Sequence, residues 1–240
     1  MVDLNPGKEE AFRAGHEAKH AENYRINSFH LGEGSPKQKF RANMDAIYTL
    51  KALENQHRDA TPEEQETLAN YVGWGGLADA FDAEKTAWTG EYKELKAALT
   101  EEEYAAARAS TLNAHYTSPT VIRAIYEALD GMGFEKGNIL EPSMGVGNFF
   151  GMLPDSMLGS RLYGVELDSI TGRIAQKLYP QAEIKVAGFE TTDRRDFYDL
   201  AVGNVPFGNY RVSDKPYDKL GFSIHNYFFA KALDLSLIHI

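Results

Sequence analysis

The second half of the chain alternates short runs of apolar or β-branched residues with longer stretches of helical periodicity. Four strands are predicted from these runs, at Asn138–Glu141, Arg161–Glu166 and residues 183–187 and 200–203. Three helices are predicted around them, at residues 115–129, residues 147–153 and Ser169–Leu178. Strands that alternate with helices form βαβ units, whose crossovers make neighbouring strands parallel. The pattern therefore predicts an α/β fold with a doubly wound, mostly parallel sheet that binds ligands at the carboxyl ends of its strands.

The residues before 113 show helical patterns and no strand signal. Apolar residues recur at helical spacing after Ser35 and Pro36, and Thr61 and Thr100 each begin a capping-box pattern. These patterns are typical of helix N-termini, because the threonine side chain satisfies a backbone N–H that has no partner within the helix. We therefore expect a helical N-terminal region at residues 1–112 and an α/β domain at residues 113–240.

The composition argues against several classes of protein. The 240 residues carry a net charge of -10, with most of the excess acid in residues 1–112, which disfavours a surface coated in Lys and Arg to wrap nucleic acid. Cysteine is absent, which excludes disulfides, thiolate zinc sites and cysteine nucleophiles. The chain has no run of about 18 apolar residues and no secretory leader, so we expect a cytoplasmic protein without a membrane partner.

A glycine turn follows the first predicted strand. Residues 139–149 read Ile-Leu-Glu-Pro-Ser-Met-Gly-Val-Gly-Asn-Phe, with Glu141 at the strand end and Gly145 and Gly147 in the turn. Such a turn brings a ligand against a helix N-terminus, although a turn that binds nothing has the same pattern. Glu141 would repel the pyrophosphate of a dinucleotide and attract the ammonium and sulfonium groups of S-adenosylmethionine. Its charge therefore favours S-adenosylmethionine over NAD, and Gly151 also lies one residue too late for a dinucleotide motif.

Two further residues near strand ends fit a nucleoside cofactor. Glu166 ends the second predicted strand, where its carboxylate can accept hydrogen bonds from both ribose hydroxyls. Sites for NAD and for S-adenosylmethionine share this feature, and a solvated acid is the other interpretation. Phe189 follows the third predicted strand, where its ring either stacks on an adenine or packs in the core.

The fourth predicted strand leads into a motif that combines an amide, a proline turn and an aromatic ring. The motif is Asn204-Val205-Pro206-Phe207, and it lies at the edge of the sheet where ligands bind. It resembles the Asn/Asp-Pro-Pro-Tyr/Phe motif of the S-adenosylmethionine-dependent DNA adenine-N6 methyltransferases, with Val205 in place of the first proline. From about residue 115 to residue 229 the order of motifs also matches that family, because the cofactor motifs precede the catalytic one.

The resemblance implies a Rossmann-like class I methyltransferase fold, S-adenosylmethionine as the cofactor and adenine in DNA as the substrate. The cofactor-binding residues that it implies are Thr117, Glu141, Pro142, Gly145, Gly147, Asn148, Glu166 and Phe189, and the catalytic residues are Asn204, Pro206 and Phe207. The Asn204 amide oxygen and a carbonyl of the Val205–Pro206 turn would accept the two amine hydrogens, which localises the nitrogen lone pair without a metal. Phe207 would stack on the adenine after it is flipped out of the duplex.

Three other segments resemble parts of the same family. Residues 116–119 (Tyr-Thr-Ser-Pro) resemble the Tyr-Thr-Pro segment that closes over the methionine end of the cofactor, with Ser118 inserted. Residues 226–229 resemble the aromatic helix that lines the cofactor pocket. Residues 70–78 resemble a segment ahead of the methylase part in large proteins of phages and conjugative elements, which implies helicase and target-recognition modules as partners besides DNA. Within it, Trp74 is either an interaction site or a packing anchor.

Two segments near the end of the chain carry further expectations. The loop at residues 210–219 interleaves cations with aromatic residues, as nucleic-acid contacts often do. Asp214 and Asp218 dilute its positive charge, so phosphate contact and a solvated loop both stay open. Residues 235–240 resemble a translated sequencing adapter, and no strand is predicted after Phe229. We therefore expect a truncated chain with an incomplete sheet.

Two alternatives to DNA adenine methylation stay open. The same motif suits any planar amine, so a protein glutamine or an RNA base is a second class of substrate. A catalytically inert, methylase-like module that helps a mobile-element protein engage DNA is the third interpretation, and Val205 is its best support.

Overall fold

The computed structural model describes residues 21–27, 32–111, 116–208 and 210–239. The predicted helix start at residue 115 and the last residue of the chain lie outside these ranges. Within them, no helix combines the length and the hydropathy that crossing a bilayer requires.

In the N-terminal region the described residues form α-helices and no strand. The helices are α1 (Pro36–Asn55), α2 (Pro62–Ala69), α3 (Thr89–Ala98) and α4 (Glu101–Ser110). Helices α1, α2 and α4 each begin at a capping box, in which Ser35, Thr61 and Thr100 accept a hydrogen bond from the backbone N–H three residues later. The predicted capping boxes at Thr61 and Thr100 are confirmed.

Five parallel strands form one sheet in the second half. They are β1 (Asn138–Glu141), β2 (Arg161–Glu166), β3 (Glu183–Val186), β4 (Tyr198–Ala201) and β5 (Ser236–His239), in the order β3-β2-β1-β4-β5. The helices of this half are α5 (Pro119–Gly131), α6 (Asn148–Gly151), α7 (Ser169–Leu178) and α8 (Ile224–Leu235). The strand order reverses between β1 and β4, which is the switch point where doubly wound sheets bind ligands. The predicted Rossmann-like α/β fold is confirmed.

The structure corrects two predictions at one edge of the sheet. Strand β4 begins at the buried Tyr198, two residues earlier than predicted, and the next residue, Asp199, accepts a 2.7 Å hydrogen bond from the backbone N–H of Asn138. The sequence pattern does not predict a fifth strand, yet β5 pairs with β4 and sets Leu200 opposite Ile238. This pairing supplies backbone hydrogen-bond partners to β4, which would otherwise be an open edge.

Two predicted helices are shorter than the sequence pattern indicates. The helix predicted at residues 147–153 begins one residue later, because Gly147 takes a left-handed conformation with φ 84° that lies outside the helical region, and it ends at Gly151. The helix predicted at residues 115–129 begins at Pro119, because Ser118 is its N-cap and Pro119 is favoured at the first helical position.

A continuous hydrophobic core joins the helical region to one face of the sheet. Fully buried side chains from α1 (Leu50), α2 (Leu68), α7 (Ile174) and β1 (Ile139) belong to this one cluster. The next residue of β1, Leu140, points to the opposite face and packs in a second cluster with α8. The boundary expected near residue 112 therefore marks a change in sequence pattern, while residues on both sides of it pack in one core.

Candidate functional site

A cavity of about 480 Å³ opens at the switch point between β1 and β4. Most of the site residues predicted from the sequence line it, namely Thr117, Glu141, Pro142, Gly145, Asn148, Glu166, Phe189, Asn204, Pro206 and Phe207. Gly147 does not line it and lies behind the wall, where an added Cβ would come within 2.5 Å of the Tyr179 ring. The fold thus gathers onto one cavity residues that lie far apart in the sequence.

The glycine turn after β1 requires a residue without a side chain at Gly145. Its φ is 57°, and an added Cβ would approach the ring of Tyr116 to 2.9 Å. Its backbone N–H donates a 2.8 Å hydrogen bond to Oε2 of Glu166. The turn therefore packs directly against the acidic end of β2 and leaves its outer side to the cavity.

Glu141 is a buried carboxylate with an unused acceptor. Its side chain is 2% exposed, and its Oε2 has no hydrogen-bond partner among the described residues. Burial raises the pKa of this carboxyl well above its usual value, and the neighbouring charge of Glu166 raises the pKa further. An ionised carboxylate held without a partner is costly, so this end of the cavity favours a ligand that brings a cation or a hydrogen-bond donor.

Glu166 is fixed in place by the backbone. Its two carboxylate oxygens accept 2.8 Å hydrogen bonds, Oε2 from the Gly145 N–H and Oε1 from the Asp168 N–H. Burial raises its pKa to about 7, although these N–H groups act in the opposite direction. A carboxylate offers about four acceptor sites, so Glu166 can still accept a hydrogen bond from a hydroxyl of a ligand.

The Asn-Val-Pro-Phe turn is tied to the glycine turn. The Ser143 hydroxyl donates a 2.7 Å hydrogen bond to the backbone carbonyl of Asn204, so the two turns hold each other across the cavity. Val205 is half-buried and packs against the second core cluster. The Phe207 ring is 59% exposed at the cavity mouth, which is a suitable position for stacking on a planar ligand.

Phe189 packs in the core and also lines the cavity. Its ring is 3% exposed, lies 4.8 Å from the Phe228 ring and also lines the cavity. The ammonium of Lys231 lies 5.2 Å from the centre of the same ring. The ring is therefore a rigid part of the wall, because core contacts hold it from behind.

The loop after the Asn-Val-Pro-Phe turn is anchored by a buried ion pair. Asp214 accepts a 2.6 Å hydrogen bond from Lys231 and a 2.7 Å hydrogen bond from the Tyr227 hydroxyl. Lys231 is 3% exposed and Asp214 is 9% exposed. The expectation that Asp214 dilutes the surface charge of the loop is wrong, because its carboxylate is neutralised in the interior.

Sequence reasoning missed one wall of the cavity, which comes from the helical N-terminal region. The additional lining residues from this region are Tyr71, Gly73, Ala106, Ala109 and Ser110. Residues 70–78 stand out in the sequence, but nothing in their pattern assigns them to a site. The small residues of α4 carry no sequence signal at all, because the contact joins segments far apart in the chain.

Comparisons with known proteins come from two curated relatives and one solved structure, while no protein-family model matches. The Defense against restriction protein B of Escherichia phage P1 is 28% identical over 209 residues, which are 85% of this chain and 8% of that protein. The Type II methyltransferase M.CvrRI of Paramecium bursaria Chlorella virus XZ-6E is 34% identical over 92 residues, which are 38% of this chain and 24% of that protein. A Listeria monocytogenes protein described as a candidate class I S-adenosylmethionine-dependent methyltransferase aligns with a TM-score of 0.41 and 12% identity over 83% of this chain and 71% of its own. The chain thus spans less than a quarter of either curated relative.

Proposed function

We propose that the chain is the cofactor-binding and base-presenting part of an S-adenosylmethionine-dependent methyltransferase that acts on the exocyclic N6 of adenine in DNA. The observation that carries the proposal is that a buried carboxylate with an unused acceptor and the Asn-Val-Pro-Phe turn line one cavity. Glu141 supplies the carboxylate, and Ser143 ties the Asn204 backbone to the glycine turn at 2.7 Å. A cationic cofactor and a planar amine would therefore meet at the same place.

The cavity suits S-adenosylmethionine in size and in charge. Its volume of about 480 Å³ lies in the ordinary range for small-molecule pockets. Glu141 would bind the ammonium group, Glu166 would accept hydrogen bonds from the ribose hydroxyls, and Phe189 would contact the adenine ring. When bound, this cofactor supplies an electrophilic methyl group.

The Asn204 turn would activate and orient the accepting amine. The nitrogen lone pair of an aromatic amine is delocalised into the ring, so the amine is a weak nucleophile. The amide oxygen of Asn204 and a carbonyl of the Val205–Pro206 turn would accept its two hydrogens and favour a pyramidal nitrogen. The exposed Phe207 would stack on the base after it leaves the duplex, and the exposed position of its ring suits that contact.

The loop beyond the turn supports nucleic acid as the substrate. Arg211, Lys215 and Lys219 are exposed, while Asp214 is paired internally with Lys231. The outer face of the loop is therefore more basic than its sequence indicates, and it adjoins the exposed Phe207. Phosphate contacts of this kind position a protein on a duplex without reading its sequence.

The names of the two curated relatives also fit this role. One is called a type II methyltransferase and the other a defence against restriction. We assign the reading of the target sequence to a target-recognition module and propose a helicase module as a further fused or associated partner. Residues 70–78 are the feature of this chain that favours such an arrangement.

A methyl-transfer assay with matched acceptors tests the proposal. The chain, joined to its target-recognition module, is incubated with radiolabelled S-adenosylmethionine and one of four acceptors. These are a DNA duplex, the same duplex carrying N6-methyladenine at every adenine, a glutamine-containing peptide and a structured RNA. Label is expected only in the unmodified duplex. Asn204→Ala should abolish the transfer, while Asn55→Ala, which changes an exposed residue at the end of α1, should preserve it.

Other outcomes would replace the proposal with one of two alternatives. Label in the peptide or the RNA would keep the cofactor and change the substrate. Cofactor binding without label in any acceptor would favour an inert DNA-engaging module. Val205 is the observation behind that second alternative, because it stands where the family that the motif resembles has a proline.

A further inference from the structure

We infer that the helical N-terminal region is a working part of the cofactor site, and that one face of α4 limits the size of the ligand that can enter. This inference rests on the proposed function. It assigns a role to residues 70–78 and to α4, which neither the sequence motifs nor the relatives explain. These segments form one wall of the cavity that Glu141 and Glu166 also line. The wall consists of Tyr71, Gly73, Ala106, Ala109 and Ser110.

The inner part of the wall is held in place by α1. The buried side chain of Asn43 donates a 2.6 Å hydrogen bond to the Gly73 carbonyl and accepts a 2.9 Å hydrogen bond from the Val72 N–H. Gly73 has φ 67°, a conformation that disfavours residues with a Cβ. One amide group on α1 therefore fixes the backbone that borders the cavity.

Trp74 is the packing anchor of this segment. It is 1% exposed, and its ring lies edge-on to Phe81 at 5.3 Å and tilted against Phe40 at 6.1 Å. These contacts hold the indole inside the helical region and away from solvent. Of the two roles that the sequence leaves open for Trp74, the structure favours packing, and the cavity contacts are made by its neighbours Tyr71 and Gly73.

Tyr71 connects the helical region to the acidic loop after β2. Its side chain is 2% exposed and contacts Thr171, whose hydroxyl donates a 2.6 Å hydrogen bond to Asp168. The Asp168 N–H in turn donates to the Glu166 carboxylate that lines the cavity. A residue of the N-terminal region is thus linked, through Thr171 and Asp168, to the carboxylate that would bind the ribose.

The outer part of the wall is the face of α4 that carries Ala106, Ala109 and Ser110. The same face is anchored one turn earlier in α4, because Glu103 pairs with Lys51 at 2.8 Å and with Arg173 of α7. The wall therefore has little freedom to swing away from the cavity. Because these side chains are small, they leave open a space that larger residues would fill.

The observation at Glu141 that supports the proposed function also points to a ligand in this space. The Oε2 atom of Glu141 is buried and lacks a partner among the described residues, and Glu141 lines the same cavity. Without a ligand this acceptor makes no hydrogen bond with the described residues, and its burial keeps it from solvent. A cationic ligand enclosed between the glycine turn and α4 would satisfy it.

The test places a tryptophan on each of two different faces of α4, in two separate variants. Ala106→Trp places an indole at an exposed position that lines the cavity, whereas Arg108→Trp changes an exposed residue that points about 160° away from Ala106 and does not line the cavity. Affinity for S-adenosylmethionine is measured by calorimetry, and folding is checked by thermal unfolding. We expect Ala106→Trp to weaken binding at least about tenfold and Arg108→Trp to change it by less than about twofold, with both variants folded.

The outcomes separate this inference from the proposed function. If the unchanged chain binds and Ala106→Trp binds equally well, the wall does not border the ligand and the inference is wrong. Equal losses in both tryptophan variants would also contradict it, because the effect would then not depend on the face of α4. If the unchanged, folded chain binds no S-adenosylmethionine, the proposed function fails and the inference fails with it.

Discussion

The substitution Glu141→Gln should make the free chain more stable and the cofactor complex weaker. The carboxyl is 2% exposed, and its Oε2 atom has no partner among the described residues. Glutamine keeps the shape of the side chain and removes the charge. An isosteric substitution that raises the stability of the free chain and weakens cofactor binding tests the role of the charge more specifically than a loss of activity would.

The sign of the stability effect follows from the pKa of Glu141. Its pKa in the folded chain is raised, mainly by burial and further by Glu166, so folding favours the protonated carboxyl. That stabilising contribution is complete below the unfolded-state pKa of about 4.3 and is lost as the pH rises through the folded-state pKa. The unfolding free energy of Glu141→Gln should therefore exceed that of the unchanged chain at alkaline pH, by roughly 1–3 kcal/mol for a buried polar group that lacks a partner.

The binding effect follows from the charge-assisted hydrogen bond that the ammonium group would lose. Such a bond contributes roughly 1.5–3 kcal/mol, which corresponds to about a ten- to hundredfold rise in the dissociation constant. Urea unfolding at pH 5 and pH 8 gives the stability, and calorimetry with S-adenosylmethionine gives the affinity. Glu127→Gln, an exposed change on α5 outside the cavity, is the matched control and should alter neither. Unchanged affinity in the folded Glu141→Gln variant would refute the reasoning.

Three further predictions concern the groups that shape the cavity. Because burial raises the pKa of Glu166 to about 7, its contribution to stability should fall as the pH rises through that value, and urea unfolding of Glu166→Gln should show a flatter pH dependence. Asn43→Ala should cost about 2–4 kcal/mol in thermal or urea unfolding, because the buried Gly73 carbonyl and the adjacent N–H lose their partner; a loss below about 0.5 kcal/mol would contradict this. Gly145→Ala should weaken cofactor binding measured by calorimetry at least about tenfold, because the new Cβ would strain the turn and press on Tyr116, and normal affinity would count against the turn geometry.

The local pattern of the sequence predicts most of the sheet. Strands β1 and β2 lie where the apolar runs indicate, because each run is short, buried and bounded by turn residues. The predicted site residues converge because the carboxyl ends of parallel strands share one edge. Strand β5 is not predicted, since four residues after a helix carry too little periodicity to be distinguished from an irregular end.

The wall of the cavity is not predictable from local pattern. The face of α4 is positioned by non-local contacts, in which Arg173 of α7 pairs with Glu54 of α1 and with Glu103 of α4. The pairing of Asp214 with Lys231 has the same character, since the sequence shows two charges 17 residues apart and does not show that both are buried. Non-local contacts of this kind decide which charges face solvent and which surfaces a ligand meets.

A crystal structure with S-adenosylhomocysteine, the methyl-transfer product, would test the site assignment most directly. The account predicts the ligand amino group within about 2.7–3.2 Å of the Glu141 carboxylate and the ribose hydroxyls at the same distance from Glu166. It also predicts α4 in contact with the ligand. A ligand bound elsewhere on the chain, or bound in the cavity with its amino group away from Glu141, would contradict the account.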